Sequence, residues 1–193
     1  MTNTATSSPS ARAVTDIPEL GAKTIEFLCQ RIPGFAMAPQ EAACVAAQMR
    51  LVHFPAGAAL FKAGDSSNTG YMLLVLDGNV SVDTGGRSAQ TKVEISVLGP
   101  GALLGELALV DGMPRSANCT AVAAVTAAGL TSAGLQRLMD QHPAVATKLA
   151  LFMAQSAADR LRALSEQLEM YDQITASMQR ELDQWRAGLK RAP

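Results

Sequence analysis

The 193-residue chain has few of the residues that build disulfide frameworks or metal sites. It contains three cysteines, none in a CxxC pair, and two histidines. An odd number of separated cysteines argues against a disulfide framework and indicates reduced thiols in a cytoplasmic protein, with Cys119 in the core. His53 and His142 have no second histidine or cysteine at metal-ligand spacing, so no metal site is expected.

The chain also lacks a charge excess and a long apolar run. Its 16 Lys and Arg residues balance 17 Asp and Glu residues, so it shows no basic face for nucleic acid and no attraction to anionic membranes. The apolar run Tyr71–Leu76 is far shorter than the roughly 20 residues that span a bilayer. Residues 1–16 lack the apolar segment of a signal peptide and predict a disordered tail.

Glycine and proline divide the chain into two zones. Ten of the fifteen glycines lie between Gly57 and Gly112, whereas neither residue occurs between Pro143 and Gly188. The first zone is typical of strands and turns and the second of helix. Before both zones, residues 17–48 predict N-terminal helices, one of which starts at Pro39.

Residues 49–131 consist of short apolar or alternating segments with a turn about every ten residues. Asp77-Gly78 is a strong hairpin signal, and Val80 and Val82 alternate with polar neighbours. This pattern predicts an antiparallel barrel or sandwich. The candidate strands are residues 50–54, 60–62, 71–76, 80–83, 93–97, 117–122 and 125–131.

The irregular segment 99–117 carries the chemistry. A glycine-dense stretch before a short apolar turn leaves backbone N–H groups free at a helix N-terminus, which suits an anion. Arg115 would add a fork of donors for phosphate oxygens, and Glu106 an acceptor for a sugar hydroxyl. The alternative is that Glu106 and Arg115 form a surface ion pair and that the glycines only make turns.

The strings Gly105-Glu106-Leu107-Ala108 and Arg115-Ser116-Ala117 resemble the phosphate-binding cassette of the cyclic-nucleotide-binding domain family. The family includes catabolite activator proteins and the regulatory subunits of cyclic-AMP-dependent kinases. The resemblance covers roughly residues 32–168. It implies an α+β fold: an antiparallel, jelly-roll-like β-roll with N-terminal helices and a long C-terminal dimerisation helix.

The resemblance also implies a role for each matching residue. Glu106 would bind the ribose 2′-hydroxyl, and Arg115 the cyclic phosphate together with the Gly105–Ala108 backbone, including the amides of Leu107 and Ala108. Ser116 would add a phosphate contact. Apolar side chains would line the base, namely Val82 and Leu104, the latter at a position where many members have Phe. Arg160 and Leu164 of the C-terminal helix would cover the base.

Beyond Pro143 the chain predicts helices over 132–190 with a coiled-coil seam. Apolar residues alternate at spacings of three and four, with Thr175 at the one polar position. The helix could instead pack on its own barrel, as its first part around Phe152 is expected to do. The remainder, about 40 Å long at 1.5 Å per residue, exceeds the barrel, so a parallel homodimer with Glu181 facing Arg186 of the other copy is expected. The seam residues are Leu161, Leu164, Leu168, Tyr171, Met178, Leu182, Trp185 and Leu189.

These features predict a cyclic-nucleotide sensor that is not an enzyme and that signals to an unknown effector protein. Ser116 favours cyclic AMP over cyclic GMP, because cyclic-GMP binders often have Thr there. No helix-turn-helix follows the seam before Pro193, so no nucleic acid or membrane partner is expected. Two alternatives stay open: a transcription regulator of the Crp/Fnr type with an unusual DNA-binding tail, and a structural dimerisation module with an empty pocket.

Overall fold

The computed structural model describes residues 12–29, 36–83 and 94–189. The chain divides into two units, Met1–Gln155 and Ser156–Pro193. The first unit contains the helices and strands expected for residues 17–131, and the second consists of the outer part of one long helix. Each unit is described separately.

The N-terminal part of the first unit begins earlier than expected. A short 3-10 helix, Val14–Asp16, precedes α1, Pro18–Cys29, and α2 follows at Pro39–Ala47. The Val14 side chain is completely buried, and Ala13 forms a bridge with Arg50. The predicted tail of residues 1–16 therefore does not include Arg12–Asp16, because the apolar Val14 packs into the core. Residues 1–11 lie outside the described residues.

Helix α2 is stabilised by a hydrogen bond at its N-terminus and by an ion pair with α5. Pro39 occupies its first turn, and the Ala38 N–H donates to the Glu41 carboxylate at 2.7 Å. The same carboxylate accepts a bond of 2.6 Å from Lys148 Nζ. These bonds tie α2 to the part of the last helix that belongs to the first unit.

Within the described ranges, eight strands form two four-stranded sheets in which every pair is antiparallel, which confirms the predicted α+β fold with an antiparallel β-roll. One sheet has the order β1-β8-β3-β6 and the other β2-β7-β4-β5. The two-residue strand β6 was not expected, because two residues are too few to show a period. The strands are β1 Arg50–Phe54, β2 Ala59–Phe61, β3 Tyr71–Asp77, β4 Val80–Asp83, β5 Glu94–Leu98, β6 Leu103–Leu104, β7 Asn118–Ala121 and β8 Val125–Thr131.

Gly78 makes a tight turn, but the hairpin that the Asp77-Gly78 pair predicts does not form, because β3 and β4 belong to different sheets and do not pair with each other. Its φ is +85°, and a Cβ at this position would overlap the Ala124 carbonyl oxygen. Both the left-handed backbone and the lack of space require glycine. After this turn the chain continues as β4, which belongs to the second sheet.

Strand β3 is buried on both faces, and this explains its unbroken apolar sequence. Leu73 and Val75 lie in a cluster with residues of both sheets, here called the barrel core. Met72, Leu74 and Leu76 lie in a second cluster with residues of the helices, here called the helical core. Because successive side chains of a strand point to opposite faces, one strand contributes to both cores.

The chain continues from β8 into α4, Ser132–Gln141, and α5, Pro143–Leu189. Thr131 caps α4 by accepting a hydrogen bond of 3.2 Å from the Gly134 N–H. Leu149, Phe152 and Met153 of α5 are buried in the helical core, as expected for the first part of this helix. None of the helices in the described ranges is long and apolar enough to cross a membrane.

Candidate functional site

The candidate site is built on a short segment between two strands of different sheets. Strand β6 leads through Gly105 into a six-residue helix, α3, Glu106–Asp111, and the chain reaches Arg115 before β7. Gly105 has a φ of +75°, and a Cβ there would overlap Arg115 Nη1 and lie 2.8 Å from the Phe61 ring. Residues 99–117 are here called the cassette. Glycine is required at position 105 because the cassette backbone, the Arg115 cation and the Phe61 ring meet there.

The Arg115 side chain lies inside the protein, with 4% of its surface exposed. Its Nη1 donates to the Gly105 carbonyl oxygen at 2.8 Å. Its Nη2 donates to the carbonyl oxygens of Asn68 and Tyr71, the latter at 2.9 Å. These bonds use three of the four N–H groups on the two amino nitrogens.

These three hydrogen bonds leave two of the five N–H groups of the guanidinium unused. One is the second N–H of Nη1, and the other belongs to Nε, which is buried and has no hydrogen-bond partner among the described residues. A buried donor without a partner costs about 1–3 kcal/mol. An acceptor that reaches Nε would remove this cost. The fork of donors expected from the sequence is therefore partly occupied by carbonyl groups in this structure.

Glu106 is also buried, with 1% of its surface exposed. Burial lowers the pKa of Arg115 below its usual value, while the negative charge of Glu106 is among the influences that raise it. A surface ion pair, the alternative considered above, does not describe these residues, because neither side chain is at the surface. A buried cation and a buried acid instead occupy one cassette.

The backbone of Arg115 is fixed by the turn between β2 and β3. The Arg115 N–H donates to the Asp65 carbonyl oxygen at 2.9 Å, and the Gly64 N–H donates to the Arg115 carbonyl oxygen at 2.8 Å. Hydrogen bonds from Ser67 lower the pKa of the Asp65 carboxyl group. This turn therefore holds both the backbone and a carboxylate near the guanidinium.

Two aromatic side chains, which sequence reasoning did not select, complete the surroundings of Arg115. Its Cζ atom lies 3.9 Å from the centroid of the Phe61 ring and 4.8 Å from that of the Tyr71 ring. The two ring centroids are 5.3 Å apart, with an angle of 42° between the ring planes. These rings come from β2 and β3, more than forty positions before Arg115, so no local sequence pattern could have revealed the contact.

The comparisons with known proteins give this arrangement a family. Residues 51–142 match the model of the cyclic nucleotide-binding domain. A solved cyclic nucleotide-binding domain from Methylobacillus flagellatus has a TM-score of 0.70 and 26% identity over 82% of this chain and 84% of that one. Residues 51–142 therefore form a domain of the cyclic nucleotide-binding family.

Two curated relatives carry the domain within longer proteins. A cyclic nucleotide-gated potassium channel from Mesorhizobium japonicum is 40% identical over 92 residues, which are 48% of this chain and 23% of the channel. A CRP-like cAMP-activated global transcriptional regulator from Mycobacterium tuberculosis is 26% identical over 132 residues, 67% of this chain and 55% of the regulator. The chain thus spans between about a quarter and about half of these relatives.

Within the cyclic nucleotide-binding domain, most of the predicted site residues lie in or beside the cassette. Ala108 is buried on α3, whereas Leu107 and Ser116 are exposed. Leu104 is enclosed in the barrel core, and Val82 is half-buried against it. Arg160 and Leu164 belong to the second unit, so their assignment to the base stays a prediction.

The histidines and cysteines are not gathered into a metal site. Among the residues that the structure describes, no group of three or more His, Cys, Asp or Glu side chains could hold a metal ion. His53 shares a hydrogen bond of 3.1 Å with the Thr126 hydroxyl on the neighbouring strand. Cys29, Cys44 and Cys119 form no disulfide bonds, and Cys119 lies in the barrel core.

Proposed function

We propose that this protein is a cyclic-AMP sensor that passes the signal to a partner protein through a dimer of its last helix. The observation that carries the proposal is the buried Arg115 guanidinium, with an unpartnered Nε, in one cassette with the buried Glu106. A buried cation attracts a phosphate strongly, because water does not screen it. The family match supports a cyclic nucleotide as the ligand.

The phosphate is proposed to lie against Arg115 and the start of α3. Arg115 would donate from Nε and from its remaining Nη1 N–H, which are charge-assisted bonds to an anionic oxygen. The amides of Leu107 and Ala108 would add donors, because the first N–H groups of a helix have no partner within it. Ser116 is exposed, so its hydroxyl can turn towards an exocyclic oxygen.

Glu106 is proposed to select the ribose. A carboxylate accepts hydrogen bonds and donates none, so it suits the 2′-hydroxyl group of the sugar. Glu106 is buried at the first position of α3, in the same cassette as Arg115, which supports this assignment. Val82 and Leu104 are proposed for the apolar side of the base, and Val82 suits it better because it is half-buried rather than enclosed.

Cyclic AMP is the proposed ligand for two reasons. The Mycobacterium tuberculosis regulator is named as cAMP-activated, and Ser116 replaces the Thr that often occurs in cyclic-GMP binders. Isothermal titration of the purified protein with cyclic AMP and with cyclic GMP tests this choice. Tighter binding of cyclic GMP would correct the ligand, and no heat with either nucleotide would overturn the proposal in favour of an empty pocket.

The signal of nucleotide binding is proposed to be transmitted by a parallel homodimer of α5. In the second unit the seam residues whose side chains the structure describes are exposed, up to 75% for Trp185. A seam of four heptads is typical of a coiled coil, which buries such side chains against a second copy. The described and exposed members are Leu161, Leu164, Leu168, Tyr171, Met178, Leu182 and Trp185.

Ligand binding would act on this dimer by shifting a conformational equilibrium, to the extent that the two states differ in affinity for the nucleotide. Arg160 and Leu164 are proposed for the base, as the family resemblance implies. An effector protein, rather than nucleic acid or a membrane, is proposed to read the change, in the cytoplasm and without an enzymatic step. Sedimentation velocity with and without cyclic AMP measures whether the dimer forms and responds.

A further inference from the structure

The surroundings of Arg115 point to residues that act on ligand binding without touching the ligand. We propose that Phe61 and Tyr71, here called the aromatic corner, are positioning residues that hold the Arg115 guanidinium for the phosphate. This inference rests on the proposed function of the cassette. It adds two residues from strands β2 and β3 to a site whose predicted binding residues lie in other parts of the chain.

The first argument is the geometry of the corner. The guanidinium lies over both rings, at 3.9 Å from the Phe61 centroid and 4.8 Å from the Tyr71 centroid. Both distances are within the range of about 6 Å in which a cation is attracted to an aromatic face. Because the two rings are inclined to each other by 42°, they limit the movement of the guanidinium in two directions.

The second argument is the chemistry of the contacts. The hydrogen-bond acceptors that hold the Arg115 amino groups are neutral backbone carbonyls, and one of them is the carbonyl of Tyr71 itself. Burial raises the pKa of the Tyr71 hydroxyl above its usual value of 10.0, so its ring is also neutral near pH 7. The groups in direct contact with the guanidinium are therefore neutral, and the Asp65 and Glu106 carboxyl groups, which also act on Arg115, are not among its hydrogen-bond partners.

The third argument is that the corner touches the cassette. The Phe61 ring packs so closely against Gly105 that a Cβ on Gly105 would lie 2.8 Å from its Cζ atom. The Gly105 carbonyl oxygen in turn accepts the bond from Arg115 Nη1. A smaller side chain at position 61 would leave space beside both the guanidinium and this turn, so either could shift.

The experiment is a double-mutant cycle on the full chain, with binding of cyclic AMP and cyclic GMP measured by titration calorimetry. Tyr71→Leu and Phe61→Leu remove a ring, and each is expected to weaken binding about tenfold. Tyr71→Phe keeps the ring and should restore affinity to within about threefold of the wild type. The same three substitutions are then made in Arg115→Ala, where each is expected to change affinity by less than about twofold.

Phe54→Leu is the matched control for a general loss of packing. Phe54 is a buried aromatic residue of the same barrel core, whereas the rings recorded against Arg115 are those of Phe61 and Tyr71. This variant should lower the unfolding temperature and leave the affinity unchanged. Because the corner acts on the phosphate, its loss should weaken cyclic AMP and cyclic GMP equally, whereas damage to the base pocket would change their ratio.

The outcomes separate this inference from the function on which it rests. If the wild type binds neither nucleotide, the proposed function fails and the inference fails with it. If the wild type binds but Tyr71→Leu weakens binding equally with and without Arg115, the corner is only structural and the inference alone is overturned. Should Phe61→Leu not fold, as judged by circular dichroism, the comparison of Tyr71→Leu with Tyr71→Phe decides the question.

Discussion

Charged side chains are usually exposed and apolar ones buried. The cassette departs from this rule in its charged residues, and the part of α5 in the second unit departs from it in its apolar residues. In the cassette, a cation and a carboxylic acid are buried, at 4% and 1% exposure for Arg115 and Glu106. In the second unit, seven apolar seam residues are exposed. Burying a charge and exposing an apolar row are both unfavourable in a single chain. Both features agree with the proposals made above, that a charged ligand binds in the cassette and that a second copy of the helix covers the seam.

The largest effect is expected from charges placed in the seam of α5. Leu164→Glu together with Leu168→Glu would put four carboxylates into the core of a dimer, and each unpaired buried charge costs several kcal/mol. The dimer should dissociate completely at micromolar concentration, which sedimentation velocity measures. Met170→Glu with Ser177→Glu adds the same charge off the seam and should leave the dimer intact. A dimer that survives the seam variant would show that this row of residues is not the interface.

A large effect on the ligand is expected at Arg115. Arg115→Ala removes charge-assisted hydrogen bonds of about 1.5–3 kcal/mol each, so binding should weaken roughly a hundredfold or more. Arg115→Lys should recover little, because an ammonium group lacks the planar set of donors. Arg137→Ala, at an exposed arginine of α4, is the control and should bind normally in calorimetry. An unchanged affinity in Arg115→Ala would place the ligand outside the cassette.

A smaller effect is expected when the ribose contact alone is tested. The wild type should prefer cyclic AMP to its 2′-deoxy analogue by about tenfold, because the analogue leaves the Glu106 acceptor without its hydroxyl partner. Glu106→Ala should bind both compounds weakly and almost equally. Competition with a fluorescent cyclic nucleotide measures both ratios. If the wild type does not distinguish the two compounds, Glu106 does not bind the ribose even where the phosphate site is correct.

The smallest effect is expected from the ion pair between Glu41 of α2 and Lys148 of α5, which includes no residue of the cassette or of the seam. The hydrogen bond from Lys148 is the main cause that lowers the pKa of Glu41 from its usual 4.5. A carboxyl group with a lowered pKa in the folded state stabilises the protein above its unfolded pKa, and this contribution is lost as the pH falls through the folded value. The difference in Tm between the wild type and Glu41→Gln should thus be constant from pH 7 to about pH 5 and shrink below about pH 4. A difference in Tm that grows on acidification would reverse this assignment.

The sequence predicted the parts of the fold and site that depend on local patterns. Turn residues such as Asp77-Gly78 and the alternation of Val80 and Val82 mark the strands, because they report φ angles and burial over a few positions. The length of α5 could be predicted within a few residues from the absence of glycine and proline. Strand β6 has two residues and Val14 is a single apolar residue in a polar segment, so neither has a pattern to detect.

The same limit applies to the candidate site. Glu106 and Arg115 were recognisable because they stand in a short string with a family resemblance. Phe61, Asn68 and Tyr71 contact the guanidinium from positions 44 to 54 residues away. Such contacts depend on how the two sheets pack, which no window of sequence contains. For the same reason the sequence could not show that carbonyl groups already occupy part of the Arg115 fork.

The position of β3 in both cores has a consequence for the order in which the domain opens. Amide hydrogens of β3 can exchange with solvent only when the barrel core and the helical core both separate, so they should be the slowest in the molecule. The Val75 N–H donates to the Ala102 carbonyl oxygen at 2.9 Å, and the Val75 carbonyl oxygen accepts from the Gly101 N–H at 2.8 Å. The segment before Gly105 is therefore attached to the most persistent strand, whereas α3, with Val110 exposed at 70%, can open by itself. Hydrogen exchange should therefore be slow for amides up to Leu104 and fast for those directly after it. One side of the proposed nucleotide site would then be rigid, and the other, formed by α3, would be flexible.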